Sequence, residues 1–150
     1  MMGKVLKIGI AKIKGSIIEA LESAEAIKNE GLFNDRKLKK NNNNKSQLTL
    51  IEIENITYFN KLNEKAVDPL DFRRNIVTEN IRLNKLIGTE FFIGDIKVIG
   101  RDLCRPCKYL QQKLKKNNFI KELLLKGGLR CEILTSGKIY LNDIITLKND

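Results

Sequence analysis

The chain has 150 residues, a length that suits one domain and lets folding bury roughly two thirds of the extended chain's surface. Apolar residues make up 42 % and charged residues 31 %, the balance of a globular protein, and no apolar run approaches the ~18–20 residues that span a bilayer. The net charge of +10 admits a nucleic acid or an anionic small molecule as partner, but the lysines are scattered rather than interleaved with aromatic residues along a stripe, which disfavours nucleic acid.

The N-terminal segment MMGKVLKIGIAKIKG alternates lysines with apolar residues. It lacks the unbroken apolar stretch and small-residue cleavage site of a secretory signal. Cys104, Cys107 and Cys131 are an odd set with no even disulfide framework, so a reducing, cytoplasmic setting is expected.

In chain order, residues 4–13 place Val5, Ile8, Ile10 and Ile13 among lysines, the alternation of a half-buried strand that Gly15 ends. Residues 16–30 read as a helix, with Ser16 as N-cap and Glu19 in capping-box position. The stretch GLFNDRKLKKNNNNK at 31–45 mixes turn formers with like charges and reads as a loop. Residues 47–63 predict a short strand leading into a helix on the spacing of Ile51, Ile56, Phe59 and Leu62. Asp68 and Pro69 break the chain. A strand follows, then a short turn or helix holding Leu83 and Leu86, then a strand pair or bent strand over 89–100. Residues 108–116 and 118–126 have helical composition. Gly127 and Gly128 stop the second helix, and a hairpin is expected around Thr135, Ser136 and Gly137. The succession of strands without regular βαβ alternation predicts a mainly β fold with short peripheral helices (α+β), a twisted barrel-like sheet. One domain over 1–150 is expected.

Cys104 and Cys107 form a C-x-x-C pair around Arg105 and Pro106, a spacing shared by metal knuckles, redox pairs and single catalytic thiols. A closed zinc site needs four ligands, and the chain has no histidine. A helix starting near residues 106–108, together with Arg105, would favour a thiolate at Cys107. The plain alternative is that both cysteines fill the core. Asp71, Phe72, Arg73, Arg74 and Asn75 bring an acid, two guanidinium groups and a carboxamide to the entrance of a strand. Guanidinium forks suit phosphate oxygens, although a solvated edge strand would carry the same residues. Gly127, Gly128, Leu129 and Arg130 read as an anion nest or as a helix stop, with the stop favoured. Asn34, Asp35 and Arg36 sit in a polar loop that makes no independent case for a site.

The order of the segments GLFNDR, QLTLIE, DFRRNIVTENIRLNKLIGTEFFIGDIKVIG, LCRPCKYL and LLKGGLRCEILTSGKIYLNDII resembles the MOSC family along nearly the whole chain, with residues 71–145 matching especially well. The resemblance implies a fold similar to the pyruvate-kinase β-barrel domain and a role in binding the molybdenum cofactor or carrying its sulfur. By that resemblance Cys107 matches the cysteine that ligates molybdenum in amidoxime-reducing relatives, and Cys104 is its supporting neighbour. Arg73 and Asn75 match positions that hold the pterin phosphate end, with Arg74 beside them and Arg130 a further candidate. Phe33 and Asn34 depart from the usual acidic residue and glycine, and Lys37 or Leu38 stands where relatives carry a histidine. The N-terminal barrel module of larger cofactor-binding relatives has no counterpart in this sequence.

Two functions follow from the resemblance. The first is a cofactor-binding protein, either part of a molybdenum-dependent reductase system for N-hydroxylated substrates or a handler of the cofactor, working with electron-transfer or cofactor-biosynthesis partners. The second is a sulfur carrier that takes persulfide sulfur on Cys107 from a pyridoxal phosphate-dependent cysteine desulfurase.

Overall fold

The computed structural model describes residues 2–147. Its strands in chain order are β1 (Met2–Ile10), β2 (Glu19–Leu21), β3 (Ser23–Ile27), β4 (Gly31–Leu32), β5 (Leu48–Glu52), β6 (Ile76–Glu79), β7 (Glu90–Ile93), β8 (Ile96–Leu103), β9 (Leu129–Ile133), β10 (Gly137–Tyr140) and β11 (Ile144–Thr146). The helices are α1 (Ile53–Lys61), α2 (Lys108–Leu114) and α3 (Phe119–Glu122), with 3₁₀ turns at Pro69–Phe72 and Leu83–Leu86.

The main sheet runs β11-β7-β8-β9-β5-β6-β1-β2, and β11 also pairs with β1. Seven strands therefore close into a barrel, and β2 hangs on the outer end of β1. The protein is mainly β with few short helices, as the strand-rich pattern predicts. A smaller sheet, β10-β3-β4, stands beside it. Its inward residues Ala24, Ala26, Leu32 and Ile139 belong to the same buried cluster as the barrel interior.

Burial follows strand alternation. Leu48 and Leu50 of β5, Ile76 of β6, Val98 of β8 and Leu129, Cys131 and Ile133 of β9 fill the interior. The intervening Ile51 and Val77 point outward into a second cluster with Ile56, Phe59, Leu70, Phe72, Leu110, Phe119 and Leu123. At its centre Phe59 meets Phe72 and Phe119 edge-on, with ring centroids 5.8 and 5.7 Å apart. The edge of one ring, slightly positive, thus faces the negative face of the next. A strand buried on both faces reads as a continuous apolar run, which is why LTLIE is buried throughout. β5 and β6 are parallel, so α1 is the crossover between them.

Residues 16–30 are not a helix. Ser23–Ile27 alternate between buried and open sides and pair with β10 and β4, so the small alanines serve as inward strand residues. Helix propensity is a weak preference that tertiary pairing overrides. The capping box is unmade: Ser16 Oγ accepts from Ile13 N at 3.3 Å, and Glu19 pairs with Lys12 at 3.6 Å. β1 ends at Ile10, before the expected Gly15.

The hairpin expected at Thr135–Gly137 is also not a paired hairpin. β9 bonds to β8 and β5, whereas β10 crosses to β3. The hydroxyls at the bend tie the crossing: Thr135 Oγ1 accepts from Lys97 N and Ser136 Oγ from Lys28 N, both at 2.8 Å. Among the described residues no helix is long and apolar enough to cross a membrane.

Gly127 and Gly128 answer to close backbone approach rather than to an anion nest. A Cβ on Gly127 would strike the Cys104 carbonyl oxygen, and one on Gly128 would strike that of Leu50. Gly128 also has φ +114°, a region costly to any residue with a side chain. Gly128→Ala should lower stability by at least about 1–3 kcal/mol, read as a shift of the urea unfolding midpoint.

Candidate functional site

The site begins where β1, β5 and β6 come together. Asn75, just before β6, is buried and its carboxamide stitches the three strands. Oδ1 accepts from Thr49 N at 3.1 Å and from Thr49 Oγ1 at 3.2 Å, and Nδ2 donates to Gly9 O at 3.1 Å. The backbone N of Asn75 donates to Thr49 Oγ1 at 3.1 Å.

Asp68 starts the segment that leads there. Its carboxylate accepts from Leu70 N at 3.0 Å, capping a 3₁₀ turn with Pro69 in its first position. The turn ends at Arg73, which adopts the left-handed region with φ 63°. That conformation costs a residue with a Cβ roughly 1 kcal/mol. Arg73 Nη1 donates to Ser16 O at 2.8 Å. Arg74 Nε donates to Gly127 O at 2.9 Å and its Nη1 to Phe72 O at 3.3 Å.

The loop after β4 supplies the opposite wall. Asp35 is buried and accepts from Ala11 N at 3.0 Å and Lys37 N at 3.3 Å, while Arg36 N donates to Ala11 O at 2.8 Å. This pins the loop to the end of β1 and carries Arg36 and Lys37 across from Arg73 and Arg74. The resulting pocket is lined by Ala11, Ile18, Thr49, Asn75 and the charged residues 35–37, 73 and 74. Among the described residues none of its four cations has a carboxylate within 4.0 Å. Burial and the charges of Arg36 and Arg74 lower the Lys37 amine below its ordinary value, against the opposing pull of Cys104 and Asp35.

The two cysteines of the C-x-x-C pair part company. Cys104 is buried and Cys107 exposed. Cys104 N donates to Gly128 O at 2.8 Å, and Cys104 is among the groups that act on the Lys37 amine. Cys107 is the extended residue that precedes α2. Arg105 is engaged elsewhere, with Nη1 3.0 Å from Asp102 Oδ2. Cys131 lies in the barrel core, where burial pushes its thiol well above the ordinary value. Arg130 faces outward on β9, opposite Thr49 on one side and Asp102 on the other.

Arg73, Arg74 and Asn75 thus share one pocket, Cys104 is coupled to it through Lys37, Arg130 stands beside its Thr49 wall, and Cys107 is outside its lining. Sequence reasoning weighed Asp35 and Arg36 only as polar loop residues and missed Lys37 and Thr49 as partners in this site. The signal for Arg36 and Lys37 is an Asp followed by two cations in a polar loop, which many solvated loops share.

Asn75→Ala should cost about 2–4 kcal/mol in urea unfolding, because it strands Gly9 O and Thr49 N in a buried place. Lys37 gives a pH signature. Its folded pKa lies below the unfolded value of 10.5, so its penalty on folding is complete below the folded pKa and fades as pH rises through that value toward 10.5. Lys37→Gln should therefore be more stable than the native chain at neutral pH. The gap should close in unfolding curves recorded at rising pH, or on adding sulfate.

The fold is similar to YuaD from Bacillus subtilis, with TM-score 0.79 and 15 % identity over 97 % of this chain and 94 % of that one. It is also similar to YiiM from Geobacillus stearothermophilus (TM-score 0.76, 14 % identity, 98 % and 75 % covered) and to YiiM from Escherichia coli (0.73, 17 %, 100 % and 71 %). No curated protein matches the sequence. Residues 37–146 match the MOSC domain, and with the closed barrel on which Arg73, Arg74 and Asn75 meet, the chain belongs to the MOSC domain family.

Proposed function

We propose that this protein binds the molybdenum cofactor, with its phosphate-bearing end in the basic pocket and Cys107 as the sulfur ligand. The observation that carries the reading is the set of four cations with no carboxylate within 4.0 Å among the described residues. Such a pocket is destabilised by its own charge until an anion enters. Arg73 and Arg74 each spend part of a guanidinium on backbone carbonyls, which orients the remaining N–H groups without neutralising them. Charge-assisted bonds to phosphate oxygens are the strong kind. Asn75 holds the wall in register, and Arg130 adds positive charge beside Thr49.

The donor chemistry fits at the other end too. A thiolate is a soft ligand suited to a transition metal, and Cys107 is the exposed thiol among three cysteines. When bound, the cofactor supplies two-electron redox chemistry at its metal. The chain's own contribution is to grip the anion and present the sulfur. Free thiols suit the cytoplasm, where an electron-transfer or cofactor-biosynthesis partner would complete the system.

A second reading is favoured by the same exposure of Cys107. As a sulfur carrier, its thiolate attacks the outer sulfur of a cysteine desulfurase persulfide. The new S–S bond forms as the old one breaks, and the donor leaves as a thiolate.

Protein purified from a cofactor-producing host should carry molybdenum and fluorescent pterin. Cys107→Ser should lose the metal, and Arg73→Ala should bind at least about tenfold more weakly. Native protein free of molybdenum under cofactor-replete conditions rejects the first reading. Mass spectrometry after incubation with a desulfurase and cysteine tests the second: one extra sulfur on Cys107 supports it, and an unmodified Cys107 removes it.

A further inference from the structure

The four cations of the pocket are not chemically equivalent. Arginine stays protonated at any ordinary pH, whereas a lysine can release its proton and become a nucleophile. Lys37 is the lysine of the set. It is half-buried, and its loop is fixed on both sides by bonds from Lys37 N to Asp35 and from Arg36 N and Leu38 N to Ala11 O and Asp35 O. Among the described residues its Nζ has no acceptor within hydrogen-bond distance and no carboxylate within 4.0 Å.

The groups that act on this amine are Arg36 and Arg74, which disfavour its charge, and Cys104 and Asp35, which favour it. Desolvation is the largest influence and adds to the first pair. A desolvated lysine beside other cations is the arrangement that activates an amine toward carbonyl carbon. Meanwhile Arg73 and Arg74 keep their charge for an anion. The pocket therefore offers a nucleophile and an anion clamp within one lining.

We propose that Lys37 is a carbonyl-reactive amine: the pocket captures a small aldehyde or α-keto compound bearing a carboxylate or phosphate, and Lys37 Nζ forms an imine with it. The anion pairs with the guanidinium groups. The amine's lone pair attacks the carbonyl carbon, a C–N bond forms, and the carbonyl oxygen takes up the two amine protons and departs as water. No electrons are exchanged. The inference rests on the reading of the pocket as an anion site, but not on molybdenum or on Cys107.

The test treats the full chain with glyoxylate and sodium cyanoborohydride at neutral pH, followed by peptide mapping for carboxymethylated lysines. Lys37 should react at least about tenfold faster than the exposed Lys39 and Lys40. Sulfate should suppress labelling of Lys37 but not of Lys39, and acetaldehyde, the same electrophile without the anion, should lose the preference. Lys37→Arg should remove the fast phase. Reaction of Lys37 at the rate of Lys39 overturns the proposal, as does a preference equally strong for acetaldehyde or indifferent to sulfate. A protein that carries molybdenum while Lys37 is slow retires this inference alone. A fast, sulfate-sensitive Lys37 in a protein that never acquires molybdenum leaves it standing and retires the cofactor.

Discussion

The pairing of β1 with three partners is the constraint on which the architecture rests. Its first residues bond to β11 and close the barrel, its middle bonds to β6, and its end bonds to β2. A closed barrel has no exposed edge to template aggregation. The register also decides where the site can be, because Gly9 and Ala11 are delivered to the place where β5 begins and β6 is about to begin. Asn75 then locks Gly9 to Thr49, and Asp35 locks Ala11 to the loop. The site is the point at which two buried polar side chains take over the hydrogen bonding that strands no longer provide.

That arrangement explains the pocket's electrostatics. Asp35 is the acid of the lining, and it spends both oxygens on backbone N–H groups. It therefore organises the loop and only partly offsets the charge of Lys37, which burial, Arg36 and Arg74 disfavour. Holding that amine in its charged form is a cost to the folded state. The rest of the fold must offset that cost: the two apolar clusters, with Phe59 edge-on to Phe72 and Phe119, supply the packing.

How much of this is legible in the chain depends on the range over which the signal acts. The apolar run LTLIE and the Asp68 and Pro69 break are local, and each matches an observed boundary. The helix expected over 118–126 ends already at Glu122, and what the glycines at 127 and 128 mark is the start of β9. The segment 16–30 is misleading because alanine and glutamate favour helices, while Ala24 and Ala26 are held by strands whose partners are remote in sequence. Arg73, Arg74 and Asn75 are visible as a motif since they are adjacent. Arg36 and Lys37 join them only through the bonds of Asp35 and Arg36 to Ala11, 24 and 25 residues away, and no local pattern announces such a contact.

The C-x-x-C segment shows why spacing alone leaves its chemistry open. A redox pair or a metal knuckle needs two thiols directed to one point. Here β8 ends at Leu103, and Cys104 is drawn inward because its N–H reaches Gly128 O across the close approach that only glycines at 127 and 128 permit. Arg105 turns back to Asp102. Proline at 106 then leads into an extended Cys107, from which α2 departs. The backbone thus sends one sulfur toward Lys37 and the other toward solvent. The pair therefore does not present two thiols to one point: Cys107 is exposed and Cys104 is buried.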